Sequence, residues 1–232
     1  MRRFRVDDLP ASGELLLDRE SSHHLLTVLR IRRGERVELF DGSGRAAQAE
    51  LLGIEEDRAH MNLVETPRRL QPAGEAYLII GIPKGQAMDA AVRMATEAGA
   101  TVIQPVVTQR SVARGDRGER WTRIATSAVQ QCGRAELPRV QPLCSLAEAL
   151  DAVPSDIQRF VAMPGAKASV PPHRGAAILV GPEGGLTERE VALAQSKGWA
   201  PIALGPWVLR ADTAAAIGIS ALVQRFEQRS ED

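Results

Sequence analysis

The sequence predicts an α/β fold preceded by a small β-rich domain, and three observations support this prediction. Residues 1–70 contain short runs in which apolar and polar residues alternate, the pattern of half-buried strands. From residue 74 onward, short apolar runs alternate with segments of helical periodicity, which is typical of a mostly parallel sheet. Between the two, residues 67–74 (PRRLQPAG) break both periodicities. We therefore expect two domains, residues 1–70 and residues 74–232.

The overall composition is that of an ordinary globular protein. The 232 residues are 44% hydrophobic and 25% charged, and 29 basic residues balance 29 acidic ones, so net charge gives no support for nucleic-acid binding. No apolar run approaches the ~20 residues of a membrane span, and the N-terminus lacks the apolar region of a signal peptide. We therefore expect a cytoplasmic protein without membrane contact. Cys132 and Cys144 form no CxxC motif and the four histidines are scattered apart from one adjacent pair, so we expect no metal site.

The N-terminal domain is predicted to be a small barrel or a curled sheet. Its strands are expected in LLLD, RVELFDG, RAAQAELLGIEE and AHMNLVE, which are separated by glycine, aspartate and charged residues. Residues 41–44 (DGSG) lie between two of these runs and predict a hairpin, because glycine can adopt the positive φ angles that such turns require. One short helix is expected to begin near Ser21 or Ser22.

The C-terminal domain is predicted to alternate between strands and helices. Two capping boxes, at residues 145–148 and 187–190, mark helix starts, and Gly99 favours a left-handed cap at the end of an earlier helix. Strands are expected at residues 76–82, 101–107, 140–143, 158–162, 176–180 and 202–204. Helices are expected at residues 86–98 and 120–131, after each capping box, and from residue 213 to about residue 228.

Three loops rich in glycine and proline follow predicted strands, at residues 163–165, 181–185 and 205–212. An open α/β sheet usually binds its ligand at the carboxyl ends of its strands, although ordinary chain connections also use glycine and proline. The loops offer backbone N–H and C=O groups between apolar residues, and no lysine stands near the two longer loops. Such a site suits a neutral, flat group such as adenine better than a polyphosphate. The GxGxxG, GxxxxGK[ST], GxSxG and HExxH motifs are absent.

Polar residues beside these loops are candidates for catalysis, and arginines elsewhere are candidates for RNA binding. Arg210 and Asp212 end the third loop, and Asp212 or Thr213 is also a candidate N-cap of the last helix, a role worth about 1 kcal/mol. Arginine clusters in VLRIRRGER and in residues 110–123 could contact phosphates, although solvated surface charge explains each arginine singly almost as well. Trp121 is a candidate for base stacking, but packing of its helix is the interpretation that we favour.

Four segments together resemble one known family: GPEGGLTEREV, LGPWVLRADTA, RWTRIATSAVQQCGRAELPRV and HHLLTVLRIRRGERVELFDGSG. This family is the bacterial 16S rRNA (uracil-N3)-methyltransferases of the SPOUT class, and the resemblance covers nearly the whole chain in order. It implies an N-terminal PUA-like β-barrel that helps to bind RNA and a C-terminal SPOUT α/β domain with a trefoil knot. It also implies S-adenosyl-L-methionine as the cofactor, an active homodimer, and methylation of N3 of a specific uridine in the 16S rRNA of the small ribosomal subunit.

The resemblance also implies site residues. Arg210 is expected to stabilise the uracil anion, while Asp212 stands where the family usually has glutamate, so its catalytic role competes with helix capping. Uracil N3 must lose its proton, and a carboxylate or a water could accept it. The cofactor-binding residues carried over are Met163, Pro164, Gly181, Pro182, Glu183, Gly184, Gly185, Leu204, Gly205, Pro206, Val208, Leu209 and Arg210. The candidates for RNA contacts are Arg2, Arg3, Arg5, Arg30, Arg32, Arg33, Arg110 and Arg114.

Two other functions stay open at this point. A non-catalytic RNA-binding protein could keep the fold without methyl transfer, although the paired glycine-proline loops argue against it. A SPOUT methyltransferase could instead act on another RNA position, such as a ribose 2′-hydroxyl or a tRNA base, because a fold does not fix a function. The VLRIRRGE and DGSG segments of the N-terminal domain favour the rRNA-uridine family.

Overall fold

A computed structural model describes residues 2–69, 73–111, 117–166 and 170–226 of the protein. The chain forms two compact units. The assignment of separate functions to residues 1–70 and 74–232 stays a prediction. Among the described residues, no helix combines the length and the apolar character that crossing a membrane requires. The first unit comprises residues 1–71 and 129–137, and the second comprises residues 72–128 and 138–232.

The first unit is built around six strands: β1 (Arg3–Arg5), β2 (Glu14–Leu16), β3 (Arg36–Phe40), β4 (Arg45–Glu55), β5 (Arg58–Leu63) and β6 (Arg68–Arg69). They form one sheet in the order β1-β3-β4-β5-β2, and β6 pairs with β4. Strand β1 runs parallel to β3, and the remaining pairs are antiparallel. Buried and part-buried residues alternate along β5, as the sequence pattern predicts for a strand with one face in the core.

The hairpin predicted between β3 and β4 is confirmed. The chain turns at Gly42 and Gly44, whose φ angles are +80° and +101°. Residues other than glycine rarely adopt such angles, so these two positions favour glycine. The Asp41 carboxylate supports the turn, because its Oδ1 accepts a hydrogen bond from Ser43 N at 2.9 Å. The two strands then pair from Phe40 and Ala46 outward, and their buried side chains divide between two clusters, one with Leu39 and Ala47 and the other with Phe40 and Ala46.

The short helix of this unit begins earlier than predicted. Helix α1 (Arg19–His23) has Asp18 as its N-cap, and the Asp18 carboxylate accepts a hydrogen bond from Ser21 N at 2.8 Å. A start at Ser21 or Ser22 is therefore wrong, because the aspartate upstream satisfies the first free N–H groups of the helix. The chain continues into a π-helical turn (His24–Val28), which contributes Leu25 to the core of the unit.

The second unit alternates strands and helices, as predicted. Its strands are β7 (Glu75–Gly81), β8 (Val102–Val107), β9 (Arg139–Val140), β10 (Cys144–Ser145), β11 (Gln158–Ala162), β12 (Gly175–Val180) and β13 (Ala200–Ile202). Its helices are α2 (Ala87–Ala98), α3 (Gly118–Cys132, of which residues 129–132 group with the first unit), α4 (Leu146–Ala152), α5 (Glu188–Ser196) and α6 (Ala211–Val223).

The sheet of this unit is parallel throughout the described residues, which confirms the predicted α/β class. Its order is β10-β8-β7-β12-β11-β13, and β9 pairs with β8. Strand β12 is buried along its whole length, because helices cover both faces of the sheet. Alternate residues divide between the two cores: Ile178 packs with Trp121 and α6 on one face, and Leu179 packs with α4 and Trp199 on the other. The interpretation of Trp121 as a packing residue is therefore confirmed.

A close approach of α6 to the sheet explains one glycine. A Cβ at Gly218 would lie 2.7 Å from Ile178 Cδ1, so a larger residue would force the Ile178 side chain or the helix to shift. Several predicted bounds differ: residues 141–143 separate β9 from β10 instead of forming one strand with Val140, β13 ends at Ile202, and α6 begins at Ala211. The predicted end of the last helix near residue 228 lies outside the described residues. The trefoil knot stays a prediction.

Candidate functional site

The three predicted loops lie at one edge of the parallel sheet, since β12, β11 and β13 are neighbours in it. Residues 163–165 follow β11, residues 181–185 follow β12, and residues 203–210 lie between β13 and α6. The second loop contains a tight turn in which Gly185 N donates a hydrogen bond to Pro182 O at 2.7 Å. Gly185 has a φ angle of +72°, which a larger residue would adopt only with strain.

These loops enclose a cavity of about 240 Å³, which we call the loop cavity. Its walls are mostly apolar, and Glu183 is the only charged side chain among the described residues that line it. Ten residues predicted to bind a cofactor line it: Met163, Pro164, Gly181, Pro182, Glu183, Gly185, Leu204, Gly205, Val208 and Leu209. Seven residues that were not predicted to bind a cofactor also line it: Ala162, Val180, Leu186, Val191, Trp207, Ala211 and Ala214.

Most of the residues that were missed are close in sequence to the glycine-rich loops. Leu186 directly follows the second loop and Trp207 lies within the third, so proximity in sequence could have identified both. Val191 and Ala214 belong to helices whose packing brings them to the cavity, and no local motif marks them. Apolar helix positions of this kind are indistinguishable from core positions in the sequence.

Three of the predicted cofactor-binding residues do not line the loop cavity: Gly184, Pro206 and Arg210. Gly184 packs against Arg110 instead, and a Cβ at Gly184 would lie 3.2 Å from Arg110 Cβ. Arg110 Nη1 also donates a hydrogen bond to Gly184 O at 2.7 Å, so the arginine supports the loop from outside the cavity.

A second concavity of about 820 Å³ shares a wall with the loop cavity, and we call it the polar cleft. Glu183 lines both spaces. Both oxygens of its carboxylate lie 3.2 Å from Lys84 N, which donates to them, so Glu183 ties the loop after β7 to the loop after β12. The polar cleft is lined by Lys84, Gln86, Ala87, Asp89, Ala90, Arg93, Arg120, Ile124, Glu183, Arg210 and Asp212.

Arg210 and Asp212 meet in this cleft at the start of α6. The prediction that Asp212 or Thr213 is the N-cap is wrong, because Arg210 occupies that position and its side chain makes no capping hydrogen bond. Asp212 instead lies in the first turn, where its Oδ1 accepts a hydrogen bond from Thr213 N at 2.9 Å. The same oxygen accepts a longer one, of 3.4 Å, from Arg210 Nε. Asp212 therefore satisfies one free N–H group of the helix and also orients an exposed guanidinium.

Two further ion pairs lie at the polar cleft. Arg120 Nε donates to Asp89 Oδ2 at 3.0 Å and its Nη2 donates to the same oxygen at 2.5 Å, which joins α3 to α2. These hydrogen bonds and the charge of Asp89 raise the pKa of Arg120. Arg93 Nη1 lies 3.4 Å from Glu97 Oε1, as the i, i+4 spacing predicts. Arg120 belongs to the arginine cluster of residues 110–123, but its pairing with Asp89 was not predicted, because no local motif pairs residues of two different helices.

The carboxylates of these concavities do not make a metal centre. Within the part of the chain that the structure describes, no group of three or more His, Cys, Asp or Glu side chains is placed to hold a metal ion.

The arginines predicted to contact RNA differ in their surroundings. Arg30, Arg32 and Arg33 are exposed on the first unit. Arg2 is also exposed, although its Nη1 donates a hydrogen bond to Leu29 O at 3.0 Å. The Arg5 guanidinium is part-exposed, with Nη2 3.8 Å from Asp7 Oδ1. Arg110 is exposed on the second unit, and Arg114 lies outside the described residues.

The prediction that Arg3 contacts RNA is wrong, because its side chain is buried. In the parallel register of β1 and β3, Arg3 stands opposite Glu38, and its Nε donates to Glu38 Oε1 at 2.5 Å. Its Nη1 donates to Val129 O at 3.0 Å and to Arg134 O at 2.8 Å. The guanidinium also lies over the Phe40 ring, 4.9 Å from its centroid. Arg3 therefore stabilises the first unit and does not offer its charge to a ligand.

Comparisons with known proteins agree with this architecture. The family model described as RNA methyltransferase domain matches residues 70–223. The family model described as RNA methyltransferase PUA domain matches residues 17–63. The first match alone covers most of the chain, and the two follow the order of the predicted domains.

Several similar proteins share one name. Ribosomal RNA small subunit methyltransferase E of Bacillus subtilis is 30% identical over 90% of this chain and 89% of its own length. The protein of that name from Mycobacterium bovis is 31% identical over 99% of this chain and 95% of its own length. The crystal structure of the protein of that name from Neisseria gonorrhoeae, bound to S-adenosyl methionine, is 33% identical with a TM-score of 0.90, covering 97% of this chain and 98% of that one. The chain therefore belongs to the RNA methyltransferase family that includes ribosomal RNA small subunit methyltransferase E, as its motifs predict.

Proposed function

We propose that this protein uses S-adenosyl-L-methionine to methylate N3 of a specific uridine in the 16S rRNA of the small ribosomal subunit. The observation that carries the proposal is the pairing of an apolar loop cavity with a polar cleft that shares Glu183 with it. The loop cavity would hold the cofactor and the polar cleft the nucleotide, beside Arg210 and Asp212. The name of the relatives supports the rRNA substrate, and the resemblance of the motifs supports the N3 position.

The chemistry of the loop cavity fits the adenosine part of this cofactor. Apolar walls can cover a flat ring, and backbone N–H and C=O groups of the loops can pair with its nitrogens. A Cβ at Gly205 would meet no atom within 4 Å, so the missing side chain leaves open room at this point of the cavity wall. The residues that would hold the cofactor are Met163, Pro164, Gly181, Pro182, Glu183, Gly185, Leu204, Gly205, Val208 and Leu209. Gly184 and Pro206 would act by shaping their loops.

The charged residues of the polar cleft suit the activation of a uracil. Bound S-adenosylmethionine would supply the electrophilic methyl group. Uracil N3 carries a weakly acidic proton and becomes a nucleophile only when that proton is lost, which leaves negative charge on O2 and O4. Arg210, exposed in the cleft and oriented by Asp212, would stabilise that charge. Holding the uracil in line for transfer is the other task of the site, and it depends on position rather than on acid–base strength.

The proton of N3 needs an acceptor, and the candidates are the three carboxylates of the cleft, which differ in the hydrogen bonds that they already accept. Glu183 already accepts from Lys84 N, and both oxygens of Asp89 accept from Arg120. Asp212 uses Oδ1 for its protein partners, whereas its Oδ2 accepts no hydrogen bond from a described residue. We assign to Asp212 Oδ2 the role of proton acceptor, directly or through one water.

The target uridine must be unpaired or drawn out of its stack, because N3 lies on the Watson–Crick edge. Exposed arginines would hold the RNA backbone while this happens. In the proposal these are Arg2, Arg5, Arg30, Arg32 and Arg33 of the first unit and Arg110 of the second; Arg114 stays a candidate from the sequence alone.

The proposal includes an active homodimer in the cytoplasm. Trp207 and Val208 of the third loop are largely exposed although both are apolar and both line the loop cavity. Exposed apolar side chains beside a ligand site favour contact with another protein surface, and a second copy of the chain is the occupant that the family resemblance implies. The rRNA substrate supports the cytoplasmic location.

The experiment that tests this function is mass mapping of methylated nucleosides in small-subunit rRNA from cells with and without the protein. We expect 3-methyluridine at one position to be lost in the absence of the protein and restored when it is supplied. A lost methyl group on a ribose or in tRNA would instead support a SPOUT methyltransferase with another target. Failure of the purified protein to bind S-adenosylmethionine in calorimetry would favour a non-catalytic RNA-binding protein.

A further inference from the structure

The polar cleft presents mostly positive charge to solvent, although its formal charges nearly balance. Its lining includes four cationic residues (Lys84, Arg93, Arg120 and Arg210) and three carboxylates (Asp89, Glu183 and Asp212). The exposed fraction of the side chain is 51% for Arg120 and 22% for its partner Asp89. It is 76% for Arg210 and 14% for its partner Asp212. Arg120 and Arg210 are therefore each more exposed than the carboxylate that they pair with, whereas Glu183 is an exposed carboxylate of the cleft.

The hydrogen bonds of the arginines leave donors available to such a ligand. Arg120 uses Nε and Nη2 on Asp89, so its Nη1 is not engaged in that pair. Arg93 contacts Glu97 through Nη1 and keeps Nε and Nη2 outside the pair. A guanidinium held on one side by a carboxylate is already oriented, and less conformational freedom is lost when its other side binds an anion.

An ion pair elsewhere in the second unit shows that this difference in exposure between partners is not general. Arg139 Nη2 lies 3.1 Å from Glu75 Oε1, and the exposed fractions are 61% for the arginine and 48% for the glutamate. Both charges of this pair meet solvent to a similar extent, so the pair presents little net charge. It lines neither the loop cavity nor the polar cleft.

We propose that Arg93 and Arg120 bind backbone phosphates of the RNA strand that flank the target nucleotide. This inference rests on the proposed function and adds an RNA-binding site in the second unit, separate from the arginines of the first. Phosphate is the ligand that an oriented, exposed guanidinium binds best. Base stacking is a poor alternative, because no aromatic side chain is among the described residues that line the cleft. Phosphate contacts at Arg93 and Arg120 would leave Arg210 and Asp212 to meet the base between them.

The test measures how the affinity for a fluorescently labelled, uridine-containing single-stranded RNA depends on salt concentration, without cofactor. We expect Arg120→Gln to lower the slope of log K against log salt by about 0.7 and to weaken binding about fivefold near about 0.1 M salt. Arg93→Gln should have a similar effect, and the double variant should lower the slope by about 1.4. The matched control, Arg139→Gln, removes a paired arginine of similar exposure outside the cleft and should leave the slope unchanged.

A conservative variant separates phosphate binding from a merely structural role of the Asp89–Arg120 pair. Arg120→Lys keeps the charge but loses the fork that contacts Asp89 twice, so it should keep the salt slope of the unaltered protein. If Arg120→Lys loses the slope as fully as Arg120→Gln, or if Arg139→Gln lowers it equally, the inference is overturned. Arg93→Gln serves as the second variant should Arg120→Gln fail to fold, since Arg93 only forms an exposed pair within its own helix. An unaltered protein that binds no RNA would contradict the proposed function as well, whereas intact binding with unchanged slopes would contradict this inference alone.

Discussion

The loop cavity and the polar cleft share Glu183 but are built from different kinds of interaction. The loop cavity consists of apolar walls and backbone groups, and its loops come from one part of the chain, residues 162–214. The polar cleft consists of side-chain ion pairs that join residues far apart in sequence, such as Asp89 and Arg120. Apolar burial responds weakly to salt, whereas exposed charges are screened by it. Cofactor affinity and RNA affinity should therefore respond to different perturbations.

The largest expected effect comes from filling the loop cavity. Ala162, the last residue of β11, lines it, and Ala162→Phe would place a ring in the space proposed for adenosine. We expect this variant to lose measurable binding of S-adenosylmethionine in calorimetry and, with it, methyl transfer. The fold should survive, because the added ring enters an open cavity rather than a close-packed core.

The salt dependence of RNA binding is the control for Ala162→Phe. It should match that of the unaltered protein, since the polar cleft keeps all its charges. A variant that loses both cofactor and RNA binding would mean that the two concavities do not act separately, and the contrast between them would fail.

The next largest effect is expected at Arg210, which lines the polar cleft but not the loop cavity. Arg210→Ala should lower kcat by about 10²–10³, because it removes the positive group proposed to stabilise the uracil anion. Binding of S-adenosylmethionine should stay within about twofold, a change of less than 0.5 kcal/mol in binding free energy. Single-turnover kinetics and calorimetry measure the two quantities.

Asp212→Asn provides a graded comparison for the Arg210 variant. An amide oxygen can still accept the hydrogen bond from Thr213 N, so the start of α6 should hold. The charge that orients Arg210 and the proposed proton acceptor are both lost, and kcat should fall by about 10²-fold. Full turnover in either variant would contradict the role assigned to that residue.

The smallest effect is expected from the caps of two helices with the same motif. Thr187 and Ser145 each begin a capping box, with Glu190 and Glu148 respectively, but only the helix that follows Thr187 adjoins the second loop. Thr187→Ala and Ser145→Ala should each lower the free energy of unfolding by about 1 kcal/mol, a fall in Tm of about 2–4 °C. Only Thr187→Ala should also weaken cofactor binding, by a few fold. Equal cofactor affinities in the two variants would show that the cap does not help to position the loop.

The sequence predicts the loop cavity far better than the polar cleft, and the physical reason is the range of the interactions. Gly181, Gly185 and Gly205 stand in short segments whose composition is decided by local backbone geometry, since Gly185 and Gly205 have positive φ angles and a Cβ at Gly181 would meet its own loop. The same segments follow buried apolar strands, whose periodicity is also local. A single stretch of sequence therefore contains nearly all the information about the cavity, apart from the helix positions Val191 and Ala214.

Long-range pairing explains what the sequence did not predict. Arg3 belongs to a basic N-terminal segment and was expected to contact RNA, but the parallel register of β1 and β3 places it against Glu38 in the core. That register is fixed by the packing of the whole sheet and not by the residues near Arg3. The pairing of Asp89 with Arg120 was missed for the same reason, since it joins α2 to α3.

The position of β12 in the middle of the sheet has a consequence for how the protein is made. Strand β7 pairs on one side with β8, which follows it closely in the chain. On its other side it pairs with β12, which is synthesised much later. Glu75 therefore pairs with Gly175 only after a long segment has been synthesised. Until then, a nascent chain exposes an apolar strand edge around Ile79, which is open to pairing with other chains. Such non-local pairing also slows folding. The loops after β11, β12 and β13 take shape only when this late step is complete, so partly synthesised chains should depend on chaperones and bind no cofactor.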